Sequence, residues 1–234
     1  MNKNKLINLL SFLFCIFMQS IQAEGNFVES DMFASMQTGD KAAVLVVHFG
    51  TTHDDTRALT IDAINKKMAD AFPGIEVREA WTSRIIAFRL KTRGIHKSSP
   101  EEALARLKAE GYTHVLIQSS NIIEGIEMES LRKDVTSQEK GFKEIRIGTP
   151  LLFTPEDYEA TIAAITPNGI RDGAVLLVGH GTYTPTTAQY AMMDYMLKAK
   201  GFGNYVVGTI EGYPSFDDAL NQIKKGGYKK VRLM

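Results

Sequence analysis

The sequence predicts an α/β fold of two similar parallel-sheet units lying side by side, with a cleft between them lined by strand-end loops. Three observations predict it. Two apolar runs, Ala42 to Val47 and Ala174 to Val178, carry no polar alternation, which marks strands buried on both faces of a parallel sheet. Strand patterns alternate with helix patterns along the chain, so each unit closes through right-handed crossovers. The second half also restates the first. Glu102-Ala103-Leu104 and Gly111-Tyr112-Thr113-His114-Val115 return as Asp218-Ala219-Leu220 and Gly227-Tyr228-Lys229-Lys230-Val231 at one constant offset. Val44-Leu45-Val46-Val47 with Gly50-Thr51 returns as Val175-Leu176-Leu177-Val178 with Gly181-Thr182.

The N-terminus is different in kind. Lys3 and Lys5 precede a mostly apolar stretch from Leu6 to Met18, and Ile21-Gln22-Ala23 offers a cleavage site before Glu24. A charged start, a short apolar region and a small residue at the cut predict a secretory signal peptide over residues 1–23. They predict a periplasmic protein with no stable membrane span after cleavage. Phe14 stands before Cys15 where a lipoprotein signal would want a small residue, so no lipid anchor is expected. Residues 24–40 read as a loose polar leader, 41–150 as the first α/β domain and 151–234 as the second.

In the first domain the strand from Ala42 runs into His48-Phe49-Gly50-Thr51-Thr52-His53. A helix from Asp54 to Ala71 is stopped by Pro73-Gly74. Ile75 to Trp81 is the second strand, and Ser83 to Arg93 is helical and basic. Ser99 as N-cap, Pro100 at the first position and Glu101 and Glu102 in the first turn start a helix that ends at Glu110-Gly111. Val115 to Gln118 is the third strand, and a loop from Ser119 to Glu129 leads into another helix. Phe142 to Ile147 is the fourth strand, closed by Gly148-Thr149-Pro150.

The second domain repeats the plan. Pro155 to Ile165 is helical, Ala174 to Val178 is a strand, and a helix spans Thr187 to Ala199. Asn204 to Ile210 is a strand followed by Glu211-Gly212-Tyr213-Pro214. Phe216 to Lys225 is a helix, and Lys229 to Met234 is the last strand. On the repeat, Met234 aligns with Gln118. The second domain is therefore expected to lack its last helix and strand, roughly thirty residues by that comparison.

Composition narrows the chemistry. The 27 Lys and Arg balance 27 Asp and Glu, and no basic stripe stands out, which argues against nucleic acid as the main partner. Cys15 lies inside the signal, so the mature chain offers no disulfide and no thiolate site. A metal there must be held by His, Asp or Glu. Neither first-strand turn carries G-x-G-x-x-G or G-x-x-x-x-G-K, so no nucleotide is expected. Ser119 and Ser120 lack a nucleophile-elbow context.

Gly179-His180-Gly181 is the most informative stretch. Glycines on both sides let the backbone turn and leave the imidazole bare at the carboxyl end of a parallel strand, where α/β sheets bind ligands. Glu211 ends the neighbouring strand and is expected to point into the same cleft. Imidazole plus carboxylate suits a divalent first-row metal and also suits proton transfer. In the first half, His48 either lines the opposite wall of the cleft as a substrate-binding group or is a solvated loop residue, and His53 reads as solvated. His96 reads as a surface residue and His114 as structural. Glu124, Glu127 and Glu129 begin a solvated helix face, from which Glu127 can reach the cleft.

These residues resemble a known family, the anaerobic type II sirohydrochlorin cobaltochelatases (the CbiK family). The resemblance covers Lys41 to Met234. It rests on Val47-His48-Phe49-Gly50-Thr51, on Gln118-Ser119 through Ile122-Ile123-Glu124-Gly125, on Gly148-Thr149-Pro150-Leu151-Leu152, on Gly179-His180-Gly181 and on Glu211-Gly212-Tyr213-Pro214. It implies two flavodoxin-like, chelatase-like domains with a tetrapyrrole between them, and insertion of Co2+ into sirohydrochlorin in anaerobic cobalamin biosynthesis. It implies His180 as metal ligand and proton acceptor, Glu211 as a second ligand and Glu127 as an acidic substrate-binding group. The family's third ligand is a histidine in a Gly-Asp-His stretch that would follow Met234, and the family usually has His where Asn121 stands. Fe2+ and Ni2+ accept the same ligands as Co2+. The family's habit suggests a homo-oligomer, and its secreted members carry signal peptides. The alternative reading is a non-catalytic periplasmic protein that binds haem, another tetrapyrrole or metal.

Overall fold

All seven residues of β1 (Ala42–His48) are buried, and the first sheet is built around this strand. The structure is a computed structural model that describes residues 31–234. The stretch 1–23, read as a signal peptide, lies outside the described residues, as does 24–30 of the leader. Met32–Ser35 forms a single 3-10 turn.

β2 (Glu76–Trp81) and β3 (His114–Ser119) pair with β1 on either side, and β4 (Glu144–Ile147) adds to β3, all in parallel. The crossovers carry α1 (Asp54–Leu59), α2 (Ile61–Ala71), α3 (Arg84–Lys91), α4 (Pro100–Ala109) and α5 (Ile126–Gln138). Leu45, Val47 and Ile117 from the sheet pack with Leu104 and Leu107 of α4 and with Met128 and Leu131 of α5.

The second sheet places β5 (Ala174–Gly181) between β6 (Tyr205–Glu211) and β7 (Val231–Leu233), again in parallel. α6 (Pro155–Ile165) precedes β5, α7 (Ala188–Ala199) links β5 to β6, and α8 (Phe216–Lys225) links β6 to β7. Val175 and Leu177 face a core shared with Tyr158, Ile162 and Leu197, while Ala174 and Leu176 face Ala219 and Ile223 of α8. The strand order β6-β5-β7 is the order β2-β1-β3 over again, so the internal repeat of the sequence is a repeat of topology. α4 and α8, the repeated helices, both start at capping boxes, Ser99 with Glu102 and Ser215 with Asp218.

Three expectations are corrected. The helix expected from Asp54 to Ala71 is two helices broken at Thr60, where the hydroxyl donates to the Thr56 carbonyl at 2.7 Å and competes with the helical ladder. β5 runs on through Gly181, because Gly179 and Gly181 still pair with Thr209 and Glu211. Its burial ends earlier. Val178 continues the face of Ala174 and Leu176 but lies past the α8 cluster and is 40 % exposed.

One connection crosses between the two sheets. Ile123, in the loop from β3 to α5, is buried in the second core beside Leu152, Tyr158 and Tyr190. Leu151 and Leu152 N–H donate to the carbonyls of Asn121 and Ile122 at 3.0 and 2.9 Å. Gln189 of α7 accepts from Glu124 N–H at 2.9 Å and donates to the Leu152 carbonyl at 2.6 Å. No helix among the described residues is long and apolar enough to cross a membrane.

Candidate active site

The register of the second sheet brings the two groups singled out in the sequence together. Gly181 pairs with Glu211 at the carboxyl ends of β5 and β6. Gly181 has φ +84°, and a Cβ there would lie 1.7 Å from the Glu211 carbonyl oxygen, so only glycine lets the two strand ends approach this closely. His180 Nε2 consequently lies 4.0 Å from Glu211 Oε2, with 81 % of the histidine side chain and 39 % of the glutamate side chain exposed. That separation is too long for a hydrogen bond and leaves room for an ion between two donor atoms.

The pair opens into a cavity of about 330 Å3. Its far wall comes from the first half. Phe49 lies just past β1, Ile122 and Ile123 lie in the β3–α5 loop, and Ile126 and Glu127 lie at the start of α5. Asn121 adds an amide, and Thr182 and Tyr190 complete the side that holds His180. Phe49, Ile122 and Ile126 are 49 %, 45 % and 58 % exposed among the described residues, a strip of apolar surface. Such a strip, with Glu127 beside it and an imidazole and a carboxylate across from it, suits a flat, apolar ligand with a reactive polar centre. Among the described residues no group of three or more His, Cys, Asp or Glu is arranged to hold a metal, so His180 and Glu211 stand as a pair.

His48 is not brought to this cavity. Its ring is 1 % exposed and held from both sides: Nε2 is 2.9 Å from Asn65 Oδ1 and Nδ1 is 2.9 Å from Ser120 Oγ. Asn65 gives its amide N–H to Glu79 at 2.9 Å, so its oxygen faces the histidine and must accept. The network thus assigns the proton to Nε2, and Nδ1 accepts from Ser120. Burial pushes the imidazole below its ordinary range, partly offset by the Asn65 hydrogen bond. Burial alone would raise the Glu79 carboxyl, but the Lys97 ammonium overrides it and holds it low. His48 is a neutral, interior histidine because Asn65 and Ser120, both remote in sequence, close over it.

The other candidates fall apart from the pair. His53 and His96 are exposed. His114 is buried against Thr113 Oγ1 at 2.9 Å. Glu124 is tied to Arg132 at 2.8 Å, and Glu129 is exposed on α5. Reading by residue type missed Tyr190, Thr182 and the apolar wall. The wall had a faint signal, since Ile122, Ile123 and Ile126 are unusually apolar for a strand-end loop. Tyr190 had none beyond the periodicity of its helix.

Residues 42–234 match the family described as cobalt chelatase (CbiK). This chain belongs to the cobalt chelatase family. Over 198 residues it is 35 % identical to the sirohydrochlorin cobaltochelatase of Salmonella typhimurium, covering 83 % of this chain and 75 % of that protein. Over 200 residues it is 32 % identical to the sirohydrochlorin cobaltochelatase CbiKC of Nitratidesulfovibrio vulgaris, covering 83 % and 70 %. Among solved structures, SirB from Bacillus subtilis with Fe3+ superposes with a TM-score of 0.56 at 13 % identity, over 78 % of this chain and 71 % of that one. That likeness is one of fold. The paired parallel sheets of this cobalt chelatase are therefore a chelatase-like architecture, and its strand-end cavity lies between them.

Proposed function

We propose that this cobalt chelatase inserts Co2+ into sirohydrochlorin in anaerobic cobalamin biosynthesis, with His180 and Glu211 receiving the metal. One observation carries the reading: an imidazole nitrogen and a carboxylate oxygen stand 4.0 Å apart at the mouth of a cavity with an apolar far wall. An ion about 2.1 Å from each donor fits between them with little closing movement. Imidazole and carboxylate suit Co2+, and they suit Fe2+ and Ni2+ as competing substrates. The macrocycle lies with a face on Phe49, Ile122 and Ile126, and Glu127 meets its polar edge. Both named relatives are cobaltochelatases, which supports turnover over binding alone.

Insertion breaks two ring N–H bonds and forms four cobalt–nitrogen bonds, as the ion gives up its bonds to the protein and to water, and two protons must leave. As the ion passes to the ring nitrogens, the freed imidazole and carboxylate each accept one and give it to water, which reaches both side chains. No group is oxidised or reduced and no nucleotide takes part.

The test is absorbance of sirohydrochlorin mixed with purified protein and Co2+. His180→Ala is expected to lower the insertion rate at least about 100-fold, and Glu211→Gln about 10- to 100-fold. A wild-type rate in His180→Ala rejects the assignment. The same reading has residues 1–23 removed on export to the periplasm, supported by the charge and hydropathy of that stretch. A secreted protein whose N-terminal residue is Glu24 is the expected outcome.

A further inference from the structure

The two metal-receiving groups stand at the last residues of β5 and β6, where Gly181 pairs with Glu211, and the turns that follow them carry no further ladder pair. The segment that enters α7 touches both. Thr187, the residue before α7, uses one hydroxyl twice: Oγ1 accepts from Tyr213 N–H at 2.9 Å and donates to the Tyr213 carbonyl at 2.8 Å. Both polar groups of the Tyr213 backbone, two residues past Glu211, are thereby held by one side chain.

Tyr190 follows one turn later on the same side of the segment. Its ring is 8 % exposed and anchored in the second core with Ile123, Leu152 and Leu197. It is also the surface on which Gly179 lies, since a Cβ at Gly179 would come 2.4 Å from Tyr190 Cε1. The residue before His180 therefore rests on Tyr190.

We propose that the segment from Thr187 to Tyr190 is a positioning element of the site: Thr187 braces the turn that follows Glu211, Tyr190 backs the strand end that carries His180, and the segment holds the pair at the spacing the strand register sets. The proposal rests on the metal-receiving role of that pair for its consequence in turnover, while the clamp on the backbone stands by itself. Neither residue is a catalytic group here. Each acts through the carboxylate or imidazole whose turn it holds.

Three variants test it: Thr187→Val, which keeps shape and loses both hydrogen bonds, Thr187→Ser, which restores the hydroxyl, and Tyr190→Leu, which removes the ring under Gly179 and stays apolar. Amide hydrogen exchange in the full chain reads the clamp directly. Thr187→Val is expected to speed exchange at Tyr213 at least about tenfold, with β6 core amides unchanged and Thr187→Ser near wild type. Tyr190→Leu is expected to speed exchange at Gly179. In turnover, the apparent KM for Co2+ should rise about 5- to 30-fold in Thr187→Val with kcat changed less, and serine should rescue it. Met196→Ala, on the same helix away from the cavity, serves as control: it should lower Tm without moving the KM for Co2+.

Unchanged exchange at Tyr213 in Thr187→Val overturns the proposal whatever the activity. An unchanged KM for Co2+ alongside a lowered Tm also overturns it, by reducing Thr187 to a stitch in a turn. Failure of the functional reading looks different: the wild-type protein itself would not insert cobalt, while the exchange result would stand.

Discussion

His48 and His180 both stand at the carboxyl end of an apolar strand within two residues of a glycine, and only one of them reaches the cavity. The difference lies in their neighbours. His180 follows Gly179 and its side chain is 81 % exposed among the described residues, whereas His48 follows Val47 and is covered by Asn65 of α2 and Ser120 past β3. Those partners are distant in sequence, so the motif alone could not separate the two, while Glu211 was legible because its strand end and turn are local. Held below the ordinary value of 6.5, His48 stays neutral in the fold while the unfolded chain takes up the proton first as pH falls. Its contribution to stability is full above about pH 6.5 and is lost as pH drops from there toward its folded pKa. Thermal melts between about pH 7.5 and 5.5 should show a shallower decline in Tm for His48→Gln than for the wild type. Equal slopes would mean that the histidine is not the group responsible.

At the scale of elements, boundaries written in side-chain chemistry were readable. Ser99 and Ser215 mark the starts of α4 and α8, and both form the reciprocal capping box. Ser99→Ala is expected to cost about 1 kcal/mol in urea unfolding, with cobalt insertion unaffected. The break at Thr60 was not readable, because a threonine hydroxyl bonding back to Thr56 looks the same in sequence as one facing water. Nor was the continuation of β5 through Gly181, which depends on pairing with Thr209 and Glu211. Gly181→Ala should show what that pairing does. A methyl group facing the Glu211 carbonyl must part the strand ends, so insertion activity should fall at least about tenfold while far-ultraviolet circular dichroism stays native.

For the whole molecule, the duplicated plan was legible because it sits in the order of apolar runs and caps, and the strand order repeats it. The seam between the halves was not. Ile123 belongs by sequence to the first half and by packing to the second, and its partners Tyr158 and Tyr190 follow it at long range. A single apolar residue in a loop gives no sign of which core it will enter. Ile123→Ala is expected to destabilise the protein by about 2–4 kcal/mol. Because Ile122 and Ile126 flank it in the cavity wall, the KM for sirohydrochlorin should rise more than the KM for Co2+. Equilibrium unfolding and steady-state kinetics on the same variant check both.

That buried isoleucine also limits how a product can leave. Jaws hinged on a free loop could gape, but here parting them would drag Ile123 out of a packed interior and break the hydrogen bonds from Leu151 and Leu152 N–H to the Asn121 and Ile122 carbonyls. On the proposed function, a metallated ring is expected to leave past His180, whose side chain is 81 % exposed, with the halves staying together.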